Sequence, residues 1–263
     1  MTGPVGSLEV RGVSAGYGAS DIIVSVTLAA ARGRVTAIAG PNGAGKSTLM
    51  KTLVGLLRPR QGQIWIDGRD VTRLSPPQRA LAGLGYVPQE RNVFKNLTVG
   101  ENLRIGFEFI RRKAPAKEFI VARDRVLDLF PDLSDRLDEV AGTLSGGQRQ
   151  MLAMGCALIP GPTTLLLDEP SAGLSPRYVT VMLDAVAAVN RSGVTVIMIE
   201  QNLIEAMRVA HDVILLVAGE IKGTWDSSAF LSDPLVRALF LGGAKARAAG
   251  VDHDRIMDDA SAA

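Results

Sequence analysis

The chain has 263 residues, of which 47% are hydrophobic, and its 29 basic and 27 acidic residues leave a formal net charge of +2. This length fits one large domain, or a core with a smaller insert. The balanced charge indicates neither a basic nucleic-acid-binding surface nor a strong field for acidic substrates. The N-terminal segment lacks a basic stretch followed by an apolar run, so we expect no secretory signal peptide.

We expect neither a membrane span nor a disulfide. The longest stretch without charged residues, Met151–Leu167, is interrupted by Pro160, Gly161 and Pro162 and cannot form one spanning helix of about 20 residues. The single cysteine, Cys156, excludes an intramolecular disulfide, and we expect it to be a buried small residue in a helix. These features predict a soluble, cytoplasmic protein in a reducing compartment.

The first predicted elements are strands. Short apolar runs alternate with turn signals from residue 8 to about 87, which predicts strands at residues 28–31, 34–39 and 64–66. The third run ends in Asp67-Gly68, a sequence typical of a tight hairpin turn. From about residue 88 to 160 the apolar spacing becomes helical, most clearly at 122–130.

Strands and helices alternate again in the last third of the chain. Near-continuous apolar runs at 164–167 and 194–199 are typical of strands covered on both faces, and Pro176–Arg191 between them predicts a crossover helix. The whole pattern predicts an α/β fold whose parts are a core (8–88 and 163–243), a helical insert (about 89–162) and a C-terminal tail (244–263). The tail is Ala-rich and charged, and we expect it to be a loose helix or disordered.

A phosphate-binding loop follows the strand predicted at 34–39. The segment matches the P-loop pattern G-x-x-x-x-G-K-[ST] with the residues Gly40-Pro41-Asn42-Gly43-Ala44-Gly45-Lys46-Ser47-Thr48. Its glycines let backbone N–H groups curl around phosphates, and a helix predicted at 46–57 directs its positive end at the same anion. Lys46 can reach the β- and γ-phosphates, and Ser47 can place its hydroxyl on Mg²⁺. The pattern predicts binding of ATP with Mg²⁺.

Two carboxylates, Asp168 and Glu169, end the predicted strand 164–167. Alone, such a pair can be two solvated charges at a strand terminus. Beside a P-loop it lies at the sheet edge where α/β proteins bind ligands, so Asp168 can hold Mg²⁺, directly or through water, and Glu169 can polarise an attacking water.

A second candidate phosphate-binding segment is Leu144-Ser145-Gly146-Gly147-Gln148. Its hydroxyl and glycines precede a helical run that we predict to begin near Gln148, which makes a nest for an anion at a helix start. The five residues are the signature motif of ABC ATPases, and the chain resembles that family.

The resemblance implies a P-loop NTPase (RecA-like) core with an antiparallel β subdomain and an inserted α-helical subdomain. It also implies that two subunits pair head to tail, so that the P-loop of one and the signature residues Ser145, Gly146, Gly147 and Gln148 of the other enclose each ATP.

The resemblance assigns further residues one by one. Tyr17, alone an ordinary turn or strand tyrosine, is similar to the aromatic residue that stacks on adenine. Gln89 is similar to the Q-loop glutamine, which implies contact with Mg²⁺ and the attacking water, and residues 89–102 resemble the part that faces the membrane partner. Residues 171–176 resemble the D-loop but lack the aspartate common there, so we assign them no catalytic residue.

One position departs from the family pattern. Most ABC ATPases carry a histidine just after the strand predicted here at 194–199, whereas this chain has Gln201, and its two histidines, His211 and His253, lie elsewhere. Glutamine can donate a hydrogen bond to a γ-phosphate but does not titrate near neutral pH. We therefore expect catalysis by Glu169, with Gln201 as a neutral positioning residue.

The departure also narrows the resemblance. Glu200-Gln201-Asn202 and the ending 236–243 resemble the LivF-type ATP-binding subunit of branched-chain amino-acid importers, over residues 8–243. This implies two transmembrane permease subunits and a second ABC ATPase subunit, with a heterodimer favoured over a homodimer. It also implies an indirect link to a substrate-binding protein, no nucleic-acid partner, and a place at the cytoplasmic face of the cell membrane.

Three other functions stay open. Closely similar ATPases serve uptake of urea, short-chain amides and aromatic compounds, and the transported substrate does not touch this subunit. A non-transport ABC ATPase is disfavoured, because such proteins generally carry two ATPase domains or a long coiled-coil insert. A non-catalytic ATP binder is compatible with Gln201, but Lys46, Asp168 and Glu169 argue against it.

Overall fold

The structure is a computed structural model that describes residues 7–90, 92–200 and 202–237. The chain forms two compact units, the first extending to Thr224 and the second beginning at Trp225. The predictions for Gln201 and for the tail 244–263 lie outside the described residues.

The strands are, in chain order, β1 (Leu8–Ala15), β2 (Ile23–Ala30), β3 (Val35–Ala39), β4 (Gln61–Ile66), β5 (Arg69–Asp70), β6 (Leu84–Val87), β7 (Thr164–Asp168), β8 (Thr195–Ile199), β9 (Asp212–Val217) and β10 (Glu220–Asp226). The helices are α1 (Lys46–Val54), α2 (Pro76–Leu81), α3 (Val99–Ile110), α4 (Ala116–Leu129), α5 (Gly146–Leu158), α6 (Pro176–Arg191), α7 (Leu203–Ala206), α8 (Ser227–Phe230) and α9 (Pro234–Arg237), with 3₁₀ turns at Pro131–Arg136 and Ala141–Thr143. None of the helices in the described ranges combines the length and the apolarity that a bilayer crossing requires.

Two sheets build the first unit. A four-stranded sheet has the order β2-β1-β4-β5, with antiparallel pairing. A six-stranded sheet has the order β10-β9-β3-β8-β7-β6, and its strands from β9 to β6 run parallel. The predicted α/β class, with its P-loop core and antiparallel β layer, is confirmed.

The central parallel strands are apolar because helices and the second sheet cover both of their faces. Every residue of β3 and β8 is buried, and so is β7 up to Leu167. The core between the sheets contains the inward side of β1 and β2 and the apolar face of α1 (Leu49, Met50, Leu53), packed on Leu166 and Ile197. The helix that carries the P-loop is therefore held from both sides.

Most predicted elements are confirmed, with corrections at several boundaries. The strand predicted at 28–31 is longer and spans Ile23–Ala30. Its early start is not predicted because Ser25, with a φ of 48°, interrupts the alternation of buried and exposed residues. The helix predicted at 46–57 ends at Val54, where Gly55 adopts a φ of 90°. The helix predicted at 122–130 is α4, which starts six residues earlier, at Ala116, and ends at Leu129.

The predicted turn at Asp67-Gly68 and the crossover helix α6 are confirmed. Asp67 and Gly68 have φ values of 47° and 78°, both in the left-handed region that such a hairpin turn requires. The helix α6 begins at Pro176 and ends at Arg191.

A buried arginine fixes the C-terminal end of α1. Arg79, on α2, is 1% exposed. Its guanidinium donates to the carbonyls of Thr52 (2.6 Å) and Leu53 (2.6 Å) in the last turn of α1, and to those of Thr72 (3.0 Å) and Leu74 (3.2 Å). Carbonyls at a helix end lack helical donors and carry partial negative charge, so a buried cation there is well matched.

We expect Arg79→Met to lower the free energy of unfolding by about 3 kcal/mol or more, because two buried carbonyls, of Thr52 and Leu53, and two partly buried ones lose their donor. Urea unfolding followed by circular dichroism measures this change. The matched control is Arg58→Met, at an exposed position, which should change stability by less than about 0.5 kcal/mol. Equal effects of the two substitutions would contradict the structural role of Arg79.

Candidate active site

The predicted site residues lie at one edge of the parallel sheet. The P-loop follows β3, Asp168 and Glu169 lie at the end of β7, and Gln89 follows β6 by two residues. The register aligns these ends, because Ile199 of β8 lies opposite both Ile38 of β3 and Asp168 of β7. Parallel strands present their carboxyl ends together, and the sheet therefore collects side chains from distant parts of the chain.

The P-loop forms a cradle in which two positions, Gly40 and Gly45, have room only for glycine. A Cβ atom on Gly40 would lie 2.1 Å from the carbonyl oxygen of Leu216, and one on Gly45 would lie 2.9 Å from Cγ2 of Ile23. Gly45 is also the N-cap of α1, with a φ of 100° and no side-chain cap. The first N–H groups of α1 lack helical acceptors, which leaves them for an anion at the helix start.

Lys46 lies inside this cradle. Its Nζ donates to the carbonyls of Gly40 (2.7 Å) and Pro41 (2.9 Å). Burial lowers the pKa of Lys46, and the nearby negative charge of Glu169 acts in the opposite direction. A cation that is partly removed from water interacts more strongly with an incoming anion.

The acidic pair has two different environments. Asp168 is half-buried, and the hydroxyl of Tyr86 donates to its Oδ2 at 3.5 Å. Burial, and then the charge of Glu169, raise the pKa of Asp168. Burial also raises the pKa of Tyr86 to about 12, with a further contribution from Asp168, so this hydroxyl stays protonated as a donor.

Glu169 has an unusual backbone conformation. Its φ is 47°, in the left-handed region that glycine favours, and its N–H donates to the carbonyl of Ile199 at 2.9 Å. Nε2 of Gln89 donates to Oε2 of Glu169 at 3.1 Å. The structure thus brings together Lys46, Gln89 and the acidic pair. Residues held in such strained conformations cluster at active sites.

Tyr17 lies beside α1, the helix that follows the P-loop. The ring is 49% exposed, and its centroid is 5.8 Å from Nζ of Lys51 on α1. The charge of Lys51 also acts on Asp168. An exposed aromatic ring at this place is available to a planar ligand.

The signature segment forms a separate helix start. The helix α5 begins at Gly146, two residues before the predicted position, because Ser145 and Gln148 form a capping box. The Gln148 N–H donates to Oγ of Ser145 at 3.3 Å, and Oε1 of Gln148 accepts from the Ser145 N–H at 3.0 Å. A Cβ atom on Gly147 would lie 2.2 Å from the ring of Tyr178, so only glycine fits. Among the described residues, no hydrogen bond joins this segment to the P-loop.

Three polar side chains at the site were not predicted. No site role is assigned to Tyr86, Asn92 or Glu200 from the sequence, and each gains a role only through a partner far away in sequence. Nδ2 of Asn92 donates to Oε1 of Gln150 on α5 at 2.7 Å, which links the segment after Gln89 to the signature helix. Glu200 is buried and accepts from Ser171.

Comparison with known proteins decides the family. The profile of the ABC transporter family matches residues 23–172. The chain belongs to the ABC transporter family. Within it, this ABC protein is an ATP-binding subunit, and ATP hydrolysis coupled to transport is the activity of such subunits.

Similar ABC proteins are known from archaea and bacteria. The chain is 40% identical over 210 residues to the probable branched-chain amino acid transport ATP-binding protein LivF of Archaeoglobus fulgidus, covering 80% of this chain and 87% of that one. It is 38% identical to the high-affinity branched-chain amino acid transport ATP-binding protein BraG of Pseudomonas aeruginosa, covering 88% and 97%. A solved ABC transporter ATP-binding cassette in its ADP conformation is 27% identical, with a TM-score of 0.79 and coverage of 89% and 98%.

Proposed function

We propose that this ABC protein hydrolyses ATP to drive an importer of branched-chain amino acids. The observation that carries the substrate class is the likeness to LivF and BraG, which extends over nearly their whole length. The P-loop, the acidic pair and Gln89 at one sheet edge support the chemistry.

The donor set fits Mg²⁺ together with ATP as substrate. Mg²⁺ is usually bound through one or two carboxylates and the substrate's phosphates, and not by a cage of protein ligands. Among the described residues, no group of three or more His, Cys, Asp or Glu is placed to hold a metal ion by itself. Ser47, Gln89 and Asp168 would hold the ion, which neutralises phosphate charge when bound.

The protein's own groups supply positioning and electrostatics. Lys46 and the first N–H groups of α1 bind the β- and γ-phosphates, and Tyr17 stacks on the adenine. Glu169 orients a water and accepts its proton, with Gln89 holding the carboxylate and Gln201 as a neutral donor. Phosphoryl transfer depends mainly on such positioning and charge stabilisation.

A second ATPase subunit completes each site. The signature residues Ser145 and Gly146 are exposed, and the P-loop is open to solvent at Asn42 and Ser47. Two incomplete phosphate sites on one chain are satisfied when two subunits pair head to tail. We favour a heterodimer beneath two permease subunits, at the cytoplasmic face of the cell membrane, with a binding protein that delivers the amino acid.

A groove beside the segment 89–102 is suited to the permease. It is a cavity of about 650 Å³ between β6, α3 and the end of α5. Its rim carries exposed apolar side chains, among them Phe94 (60% exposed) and Phe109 (51%). Cys156 on α5 lines it and is partly buried, whereas the sequence predicted a buried residue in a helix. Exposed apolar grooves of this kind mark sites of protein interaction.

We expect leucine-loaded binding protein to stimulate ATP hydrolysis by the reconstituted transporter by about tenfold, because substrate delivery lowers the barrier to subunit closure by about 1.4 kcal/mol. The experiment combines this chain with its second ATPase subunit, both permease subunits and the binding protein in proteoliposomes, with and without leucine. Phosphate release measures the rate. Stimulation by urea, an amide or an aromatic compound instead of leucine would overturn the substrate class and keep the motor role.

Variants of the groove show whether stimulation passes through it. Phe94→Asp should abolish the stimulation and leave ATP affinity unchanged, since a charge there opposes an apolar partner. Val121→Asp, at a position 52% exposed on α4, is the matched control. Equal stimulation of both variants would exclude this groove as the docking surface.

A further inference from the structure

A set of hydrogen bonds ties the loop after β7 to the end of β8. The Glu169 N–H donates to the carbonyl of Ile199 at 2.9 Å. The Ser171 N–H donates to Oε1 of Glu200 at 3.0 Å, and Oγ of Ser171 donates to Oε2 of Glu200 at 2.7 Å. Ile199 and Glu200, two consecutive residues at the end of β8, thus bind this loop at two points, Glu169 and Ser171.

The Glu200 side chain is unusually buried for a carboxylate. It is 5% exposed, although a carboxylate is among the costliest groups to bury. Both of its oxygens accept from Ser171, one from the backbone and one from the side chain. A charged acceptor makes stronger hydrogen bonds than a neutral one, so Ser171 is held more firmly than an amide or hydroxyl partner would hold it.

The backbone of the loop from Glu169 to Ser171 is strained at Glu169. Glu169 has a φ of 47°, and a non-glycine residue stays in this region only when its surroundings fix it. Ser171 is two residues further along, and Glu200 fixes its backbone N–H directly. The side chain of Glu169 points from this backbone to Gln89, 3.1 Å away. Anchoring at Ser171 therefore acts on the direction of the Glu169 carboxylate.

We propose that Glu200 is a positioning residue for ATP hydrolysis, which acts through Ser171 to hold Glu169 in its reactive orientation. The inference rests on the proposed function of Glu169 as the group that activates water. Both carboxylate oxygens of Glu200 accept from Ser171, so its effect on the reaction passes through that residue. It also precedes Gln201 in sequence, and the same anchor therefore begins the segment that carries the predicted neutral donor.

The test uses the reconstituted transporter with Glu200→Ala, Glu200→Gln and Ser171→Ala. We expect Glu200→Ala to lower kcat about 10- to 100-fold, the size of effect that small misplacements of a reacting group produce. The Kd for MgATP, measured by a fluorescent ATP analogue, should change by less than about twofold, because no phosphate contact is lost. Glu200→Gln keeps one acceptor and should recover part of the rate. Ser171→Ala keeps the backbone bond and should be the mildest.

A double-mutant cycle separates positioning from general stability. In a Glu169→Gln background, Glu200→Ala should lower the residual single-turnover rate by less than about twofold, since residues that act through one another are not additive. A full additional loss, or a kcat of Glu200→Ala equal to that of the unmodified protein, would overturn the proposal. So would a parallel fall of kcat, ATP affinity and melting temperature in both Glu200→Gln and Ser171→Ala.

The same experiment distinguishes the positioning role of Glu200 from the proposed role of Glu169, on which it rests. If Glu169→Gln alone retains full turnover, the proposed role of Glu169 fails, whatever the Glu200 variants do. If Glu169→Gln is inactive and Glu200→Ala is fully active, the proposed function stands and only the positioning role of Glu200 is excluded.

Discussion

Glu169→Gln should bind ATP and hydrolyse it about 100- to 10,000-fold more slowly, the range that general-base catalysis contributes. The amide is nearly the same size as the carboxylate and can still interact with Gln89, 3.1 Å away. It cannot accept a proton from water. The contacts proposed between the P-loop and phosphate do not involve this side chain, so the Kd for MgATP should stay within about twofold. Single-turnover hydrolysis and equilibrium binding of a fluorescent analogue measure the two quantities.

The matched control for this variant is Glu118→Gln, an exposed glutamate on α4. It removes the same charge far from the sheet edge and should leave kcat unchanged. Turnover of Glu169→Gln at the unmodified rate would show that another group activates the water. A loss of both ATP binding and turnover would show instead that Glu169 supports the phosphate site.

Lys46→Ala should weaken MgATP binding by about 100-fold or more, because charge-assisted hydrogen bonds to phosphate contribute about 3 kcal/mol together. Lys46 lies in the cradle, with its ammonium on the carbonyls of Gly40 and Pro41. Burial lowers the pKa of Lys46, and a phosphate bound there would replace part of the solvation that the ammonium loses. Isothermal titration with MgATP measures the affinity.

The control for Lys46→Ala is Lys117→Ala, at an exposed position on α4. Both variants lose one positive charge, so a general electrostatic effect would weaken binding equally. The melting temperature of Lys46→Ala should change little, because the carbonyls of Gly40 and Pro41 lie where water can replace the lost donor. Tight MgATP binding by Lys46→Ala would show that the N–H groups of α1 suffice for the phosphates.

Features within one contiguous segment could be predicted from sequence. The P-loop, the apolar strands β3, β7 and β8, and the crossover helix α6 each combine composition, spacing and flanking turn residues within about 20 positions. The convergence of Asp168 and Glu169 with the P-loop also followed, because parallel strands end at the same edge. The roles proposed for these side chains remain predictions.

Features that depend on contacts across the sheet could not be predicted. Tyr86 bonds to Asp168 only because β6 pairs with β7, and nothing in Tyr86-Val87-Pro88 specifies that pairing. In the sequence, Glu200 is only a polar residue that follows a strand. Its contact with Ser171 depends on the pairing of β8 with β7. The early start of β2 was missed for a local reason, since Ser25 interrupts the alternation by which a strand is recognised.

The left-handed backbone at Glu169 has an evolutionary consequence. A glutamate with a φ of 47° is disfavoured by about 1 kcal/mol relative to glycine, which adopts this conformation freely. Codons for glutamate become codons for glycine by one nucleotide change. This accessible loss of the carboxylate thus also relieves backbone strain, while the ATP-binding cradle of α1 stays intact. In a family whose subunits work in pairs, this single step leads towards a folded partner that binds nucleotide without consuming it.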